Sequence, residues 1–244
     1  MARAARQRIR CGALLLRRVR YGESDLIVTL FTEEHGAVGA AARGALRSKR
    51  RFAGLEPMHL LRAEMDISPQ RDLAHLVEVR VERPRLNLLT SLSRLEAAGQ
   101  ALRWLRRAAP ALTPEPRLWI EVNALLDALD SPSQALIPEA LLGAGGLRML
   151  EASGWGFDLT RCVRCDTPCP DQSKSTIDVV AGGVVCRRCG GGEVTLTAAR
   201  RQALLAALDG DETALAEPAD AKTAVELVSR GFAAHGKSGP SGPR

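Results

Sequence analysis

The chain has 244 residues, of which 45% are hydrophobic and 25% are charged, a balance typical of globular domains rather than disordered segments. Its length suits one large domain or two modest ones. The sequence contains no run of eighteen apolar residues, so no membrane span is predicted. The net charge is +6, and residues 1–83 hold the whole excess, with sixteen Lys and Arg against ten Asp and Glu. Such a segment predicts a polyanionic partner, of which nucleic acid is the commonest.

The first ten residues are rich in arginine and lack the apolar core of a secretory signal. We therefore expect a basic arm, a cytoplasmic protein and no membrane partner. Thiols stay reduced in the cytoplasm, which favours metal binding over disulfides for those of the six cysteines that occur in CxxC pairs.

The first third of the chain predicts five short strands, separated by turn signals at residues 21–25 and 33–36. They cover residues 9–19, 26–32, 37–45, 58–65 and 73–81. Five strands in about eighty residues suit a small closed barrel, and the OB-fold is the leading candidate. Periodicity alone leaves an SH3-like barrel open. We assign residues 1–83 to an OB-fold domain that binds nucleic acid.

From Pro84 onward the apolar residues recur with helical spacing, which predicts an α-helical domain. Its predicted helices begin near Thr90 or Ser91 and at Pro116, and three more cover residues 139–153, 197–208 and 219–234. We assign residues 84–160 and 193–236 to this domain, residues 161–192 to an insert, and residues 237–244 to a disordered tail.

The insert contains two CxxC knuckles separated by twenty residues, formed by Cys162, Cys165, Cys186 and Cys189. This spacing predicts one tetrahedral zinc ion, and four cysteine ligands leave no open position, so the site is structural. A glycine-containing hairpin, with strands at residues 177–180 and 184–185, would bring the knuckles together. A thioredoxin-like pair explains one knuckle but not both. Cys169 stays open as an exchanging ligand, and packing explains Cys11.

A basic run follows the third predicted strand, with no acidic residue between Glu34 and Glu56. On charge alone, a solvated face explains such a run equally well. Its place at the barrel rim favours contacts with successive phosphates, and three arginines of the first strand extend the track. The predicted DNA-binding residues are Arg43, Arg47, Lys49, Arg50, Arg51, Arg17, Arg18 and Arg20.

Aromatic residues are few in the barrel segment, where Tyr21, Phe31 and Phe52 are the candidates for base stacking. Phe31, and Phe52 to a lesser degree, fit a core equally well. We therefore expect affinity to rest on phosphate contacts, with strong salt dependence and weak sequence preference.

Residues 231–238 match the phosphate-binding pattern GxxxxGK[ST]. That loop works between a strand and a helix, whereas here a helical pattern precedes it and a Gly/Pro tail follows, so we reject it. The four histidines are scattered along the chain, and no nucleophile and base pair stands out. We predict that the protein is not an enzyme.

Two stretches closely resemble the bacterial recombination mediator RecO family. They are YGESDLIVTLFT at residues 21–32 and ARGALRSKRRFAGLEP at residues 42–57. The resemblance covers the whole length, since that family joins an OB barrel to a helical domain with a four-cysteine zinc insert in many members. The second stretch is the specific one, because unrelated proteins share zinc knuckles.

The resemblance implies a non-catalytic, nucleoid-associated protein that binds single- and double-stranded DNA and anneals complementary strands. It also implies that the protein joins RecR to load RecA onto strands coated with single-strand-binding protein (SSB). Family members contact the acidic, Phe-ended tail of SSB through the helical domain. We assign that contact here, as a hypothesis, to Arg103, Arg106 and Arg107 beside Trp104.

Two alternatives stay open at this point. One is an RNA-binding zinc-ribbon protein associated with translation or transcription. The other is a zinc- or nucleotide-dependent enzyme, which the four-cysteine shell and the misplaced GKS triplet disfavour.

Overall fold

The computed structural model of the protein describes residues 7–48, 50–68, 71–133 and 135–236. Lys49 of the predicted DNA-binding set and the tail predicted at residues 237–244 lie outside the described residues. The chain divides into two compact units, one built from residues 1–89 and 109–119, the other from residues 90–108 and 120–244. None of the described helices is both long and apolar enough to cross a lipid bilayer.

The first unit contains a closed barrel with the strand order β1-β2-β3-β5-β4. β3 and β5 pair in parallel, and β1 closes the barrel by pairing antiparallel with both β2 and β4. This arrangement confirms the predicted five-stranded OB-type barrel followed by a helical domain. The strands are β1 (Gln7–Tyr21), β2 (Asp25–Thr32), β3 (Gly36–Ala42), β4 (Leu60–Ile67) and β5 (Ala74–Arg83).

Alternating side chains of the strands form the barrel core, as the period of two predicts. Val38, Ala40 and Ala42 of β3 point inward, and the residues between them are half-buried. Cys11 lies in this core, and burial raises the pKa of its thiol to about 11. Its role is therefore packing, as the sequence indicates.

Residues 109–119 pack against the barrel at Gly36. The φ of Gly36 is +64°, and a Cβ at this position would stand 2.0 Å from the carbonyl oxygen of Thr113. The next residue, Ala37, donates its N–H to the carbonyl of Pro110 at 2.9 Å. A side chain at residue 36 would therefore separate this segment from the barrel.

The helical unit is organised around α3, in which ten residues are buried. Its glycines allow close approach, since a Cβ on Gly146 would stand 2.6 Å from the ring of Trp104. Trp104 in turn stacks on Phe232 with the ring centroids 5.7 Å apart. The helices are α1 (Leu92–Ala108), α2 (Pro116–Asp130), α3 (Pro138–Ala152), α4 (Ala198–Leu208) and α5 (Pro218–His235), and α2 begins in residues of the first unit.

The cysteine segment contains the predicted hairpin, formed by β6 (Ser175–Asp178) and β7 (Gly183–Val184). A third strand, β8 (Val194–Leu196), pairs with the other edge of β6 and was not predicted. Short 3₁₀ turns at Asn87–Thr90, Arg187–Cys189 and Glu212–Leu215 were also missed.

Candidate metal centre and nucleic-acid interface

The four knuckle cysteines lie together in the helical unit, with all four Sγ atoms within 4.8 Å of one another. The sulfurs of Cys165 and Cys186 are 3.7 Å apart. Tetrahedral zinc with bonds of about 2.3 Å requires sulfurs roughly 3.8 Å apart, so the geometry suits that ion. The predicted gathering of these cysteines is confirmed, and they are close enough to hold a metal ion. Cys169 is outside the group and lies 3.7 Å from the Ser173 hydroxyl.

Backbone hydrogen bonds shape both knuckles. Asp166 has a φ of +58° and donates its N–H to the carbonyl of Cys162, which turns the first knuckle. The second knuckle is the 3₁₀ turn Arg187–Cys189, followed by Gly190 with a φ of +101°. Arg164 joins the two, because it donates to the Cys189 carbonyl at 2.8 Å and forms an ion pair with Asp178 at 2.7 Å.

The chemistry of the four sulfurs fits a divalent cation. The backbone N–H of Cys186 donates to Cys162 Sγ at 3.3 Å and lowers the pKa of that thiol to about 6. Hydrogen bonding with the sulfurs of Cys165 and Cys186 raises the pKa of Cys189 to about 12. A bound cation would lower the pKa of Cys189 again, since a thiol that coordinates a metal is deprotonated outright.

A buried arginine of α4 anchors the segment that carries the knuckles. Arg201 is 1% exposed and donates to the carbonyls of Leu159 at 2.9 Å and Pro170 at 2.6 Å. Because these carbonyls flank the first knuckle, Arg201 fixes its position against the helical unit. The sequence gave no sign of this role, because Arg201 lies in a predicted helix in which a charged residue is expected to be exposed.

The described residues of the predicted basic run form an exposed loop of the first unit, called here the basic loop (residues 43–48, 50 and 51). Its backbone lies against the β1–β2 turn (residues 21–25), where Leu46 donates its N–H to the Ser24 carbonyl at 2.9 Å. Arg43, Arg47, Arg50 and Arg51 are all exposed, as are Arg17, Arg18 and Arg20 on β1.

Asp25 holds the basic loop to this turn. Its carboxylate accepts from the N–H of Gly44 at 2.8 Å and from the Ser24 hydroxyl at 3.1 Å. The Gly44 hydrogen bond is the main reason that the pKa of Asp25 is below its ordinary value. The sequence analysis gave Asp25 no role beyond its turn.

The arginines of the predicted set have different local partners. Arg51 donates to the Arg43 carbonyl at 3.2 Å and lies over the ring of Phe52, 5.0 Å from its centroid. Arg18 donates to Leu55 and pairs with Glu56 at 2.7 Å. Arg47 approaches Glu23 at 3.6 Å, where both side chains are largely exposed and the attraction is weak.

Four members of the set, Arg17, Arg20, Arg43 and Arg50, make no ion pair within the described part of the chain. On the outer face of β1, β4 and β5, by contrast, arginines alternate with carboxylates. We call this set of ion pairs the paired ladder. Arg10 pairs with Glu64 at 2.7 Å, Arg62 with Glu82 at 2.8 Å and Arg80 with Glu78 at 2.8 Å. The arginines of the predicted set without an ion pair among the described residues therefore lie on β1 and on the basic loop. That loop runs from the β1–β2 turn to β5, where Val79 donates its N–H to the Arg51 carbonyl at 2.8 Å.

Comparison with known proteins agrees with this architecture. The family model for the recombination protein O N terminal matches residues 6–85, and that for the recombination protein O C terminal matches residues 89–236. A DNA repair protein RecO of Anaeromyxobacter sp. (strain K) is 38% identical over 215 residues, covering 86% of this chain and 82% of the relative. The corresponding protein of Anaeromyxobacter dehalogenans (strain 2CP-1) has the same identity and coverage. On these matches, the chain belongs to the RecO family of DNA repair proteins.

Proposed function

We propose that the protein is a non-catalytic recombination mediator, which binds single- and double-stranded DNA and anneals complementary strands. The observation that carries this proposal is the basic loop, which the structure holds against the β1–β2 turn of an OB-type barrel. We propose that the predicted DNA-binding residues form the DNA-binding surface. Lys49 is included in this proposal, although it lies outside the described residues. The relatives are named DNA repair protein RecO, which favours DNA over RNA as the ligand.

The proposed mechanism is charge neutralisation. Two complementary strands repel each other through their phosphates, and arginines without acidic partners neutralise phosphates most effectively. A protein that neutralises several phosphates on each strand lowers the barrier to their meeting. This chemistry requires no nucleotide hydrolysis.

Annealing of two complementary oligonucleotides, followed by fluorescence, tests the proposal. The wild-type protein should accelerate annealing without nucleotide, and the Arg47→Glu, Lys49→Glu, Arg50→Glu triple variant should not. A triple variant that anneals at the wild-type rate would refute the assignment of this surface. Tighter binding to RNA than to single-stranded DNA in direct competition would favour the RNA-binding alternative.

We also propose that the protein joins RecR and loads RecA onto SSB-coated strands. A groove of about 640 Å³ between α1, α3 and α5 supports a peptide contact in the helical unit. Its lining has an apolar part that suits the Phe end of the tail, formed by Leu95, Leu142 and Val225. Among the described residues of the lining, Arg103 is the one basic residue for an acidic residue of the tail, and the carboxylates of Glu96 and Glu139 oppose it. Trp104 is 2% exposed and so supports the helix from inside rather than offering its ring to a ligand.

The tail contact has its own test. Arg103→Glu and Arg106→Glu should each weaken binding of an acidic, Phe-ended peptide, measured by fluorescence anisotropy. Unchanged peptide affinity in both variants would remove this helix from consideration. Recovery of RecA filament formation on SSB-coated DNA, with and without RecR, measures the loading step itself.

For the metal centre, we propose one structural zinc ion held by Cys162, Cys165, Cys186 and Cys189. When bound, the ion supplies a cross-link between the two knuckles and no reactive group. Residues 161–192 would then form a zinc-binding insert between the two parts of the helical domain.

A further inference from the structure

One aromatic ring of the barrel unit is exposed in a way that core packing does not explain. Tyr21, the single tyrosine of the chain, is 64% exposed at the end of β1. Phe31 and Phe52, the other two stacking candidates, are 0% and 6% exposed and belong to the core. The structure thereby assigns both phenylalanines to the core and leaves Tyr21 as the exposed ring of the three.

The position of Tyr21 places it next to the basic loop. Tyr21 pairs with Asp25 across the hairpin, and directly paired residues of antiparallel strands share a face. Asp25 is the residue that accepts from Gly44, so the ring stands beside the backbone that carries Arg43. A Cβ added at the neighbouring Gly22 would have no heavy atom within 4 Å apart from those of Tyr21 and Glu23, so no other described part of the chain covers this end of the turn.

The face of the β1–β2 hairpin that carries Tyr21 continues along both strands as a shallow surface with apolar residues. Val19 is 43% exposed and pairs with Ile27, which in turn pairs with Ala41 of β3. Arg17 pairs with Thr29, opposite Gly39 in β3. The Leu73 side chain covers Gly39, 3.0 Å from where a Cβ at that residue would stand. The part of this face open to a flat base is therefore the end formed by Val19 and Tyr21, beside the arginines of β1.

We propose that Tyr21 stacks on an unpaired base of single-stranded DNA and gives this surface its preference for unpaired strands. The inference rests on the proposed DNA binding and deepens it. Duplex bases are already stacked and offer no face to the ring, whereas an unpaired base offers one. Stacking thus adds discrimination to an attraction between arginines and phosphates that both forms of DNA share.

Equilibrium titration of the full chain with a labelled thymidine oligonucleotide and with a duplex of equal length tests this role. Tyr21→Ala should lower single-strand affinity roughly 5- to 150-fold and leave duplex affinity unchanged. Tyr21→Phe keeps the ring and should retain wild-type affinity. Since the side chain is exposed at a turn, neither change should alter the fold.

An abasic oligonucleotide of the same length separates stacking from other causes. Wild type and Tyr21→Ala should bind it equally, because no base remains for the ring. Equal losses on normal and abasic strands, or on single strands and duplex, would overturn the stacking role. A wild-type protein that binds no DNA would refute the proposed function itself, which is a different outcome.

Chemical cross-linking gives an independent readout. An oligonucleotide carrying 5-iodouracil should cross-link on illumination to a peptide that contains Tyr21, identified by mass spectrometry. Cross-links confined to the helical unit would overturn the proposal.

Discussion

Neutralising three arginines of the basic loop should flatten the salt dependence of single-strand binding. In the variant Arg43→Gln, Arg47→Gln, Arg50→Gln the side chains stay long and polar, so the lost property is charge. Each single-strand phosphate contact contributes about 0.7 to the slope of log K against log salt, and three lost contacts lower it by about 2. Over a fourfold rise in salt, wild type should therefore lose roughly 20-fold more affinity than the variant.

The assay is fluorescence anisotropy of a labelled oligonucleotide at several salt concentrations. The paired ladder supplies the matched control, in which Arg10, Arg62 and Arg80 are changed to Gln. This control removes the same formal charge from the barrel, but from arginines that already have carboxylate partners within 2.8 Å. Its slope should stay near that of wild type. Equal flattening in both variants would refute a localised surface and indicate a response to net charge.

Three further predictions concern the anchors of the two sites. Cys165→Ser should abolish the single bound zinc measured by elemental analysis, whereas Cys169→Ser should retain it; equal zinc in both variants would contradict the ligand set. Arg201→Met should lower the free energy of unfolding by about 2 to 4 kcal/mol in denaturant titrations, because carbonyls inside the unit lose their donor. Arg200→Met, which breaks a partly buried pair with Asp220, should cost less, about 1 kcal/mol, and equal costs would contradict the anchor. Asp25→Ala should weaken DNA binding a few-fold at pH 7, because the basic loop loses its hydrogen bond to the β1–β2 turn. The difference from wild type should disappear as the pH falls through the lowered pKa of Asp25, since wild type then also loses the carboxylate. A difference that persists at low pH would contradict this role of Asp25.

Local patterns were sufficient to predict the barrel strands, because one face of each strand is buried and alternation reports it. The predicted third strand, residues 37–45, nevertheless ends in the structure at Ala42. The chain leaves the sheet there because Gly44, with a φ of +68°, turns its N–H toward Asp25. That hydrogen bond joins residues nineteen positions apart, and no local period reports it.

The cysteine spacing was equally informative, since four ligands must converge whatever the surrounding fold. It could not indicate that Arg201, 36 residues beyond Cys165, would support Leu159 and Pro170 from inside the helical unit. An arginine in a helical pattern is normally exposed, and its burial depends on carbonyls supplied by tertiary structure. Tyr21 is the opposite case, because its exposure is decided by the open end of the hairpin rather than by its residue type.

Hydrogen exchange of the full chain, measured by mass spectrometry with and without a saturating single-stranded oligonucleotide, tests the central claim most directly. DNA should protect the backbone amides of residues 17–27 and 41–52, which form the β1–β2 hairpin end and the basic loop. Strand β4 and residues 74–78 of β5, beneath the paired ladder, should exchange as in the free protein. Val79 is excluded from this comparison because its N–H donates to the Arg51 carbonyl of the basic loop at 2.8 Å. Protection of β4 and β5 with no change at the hairpin and the basic loop would contradict the account.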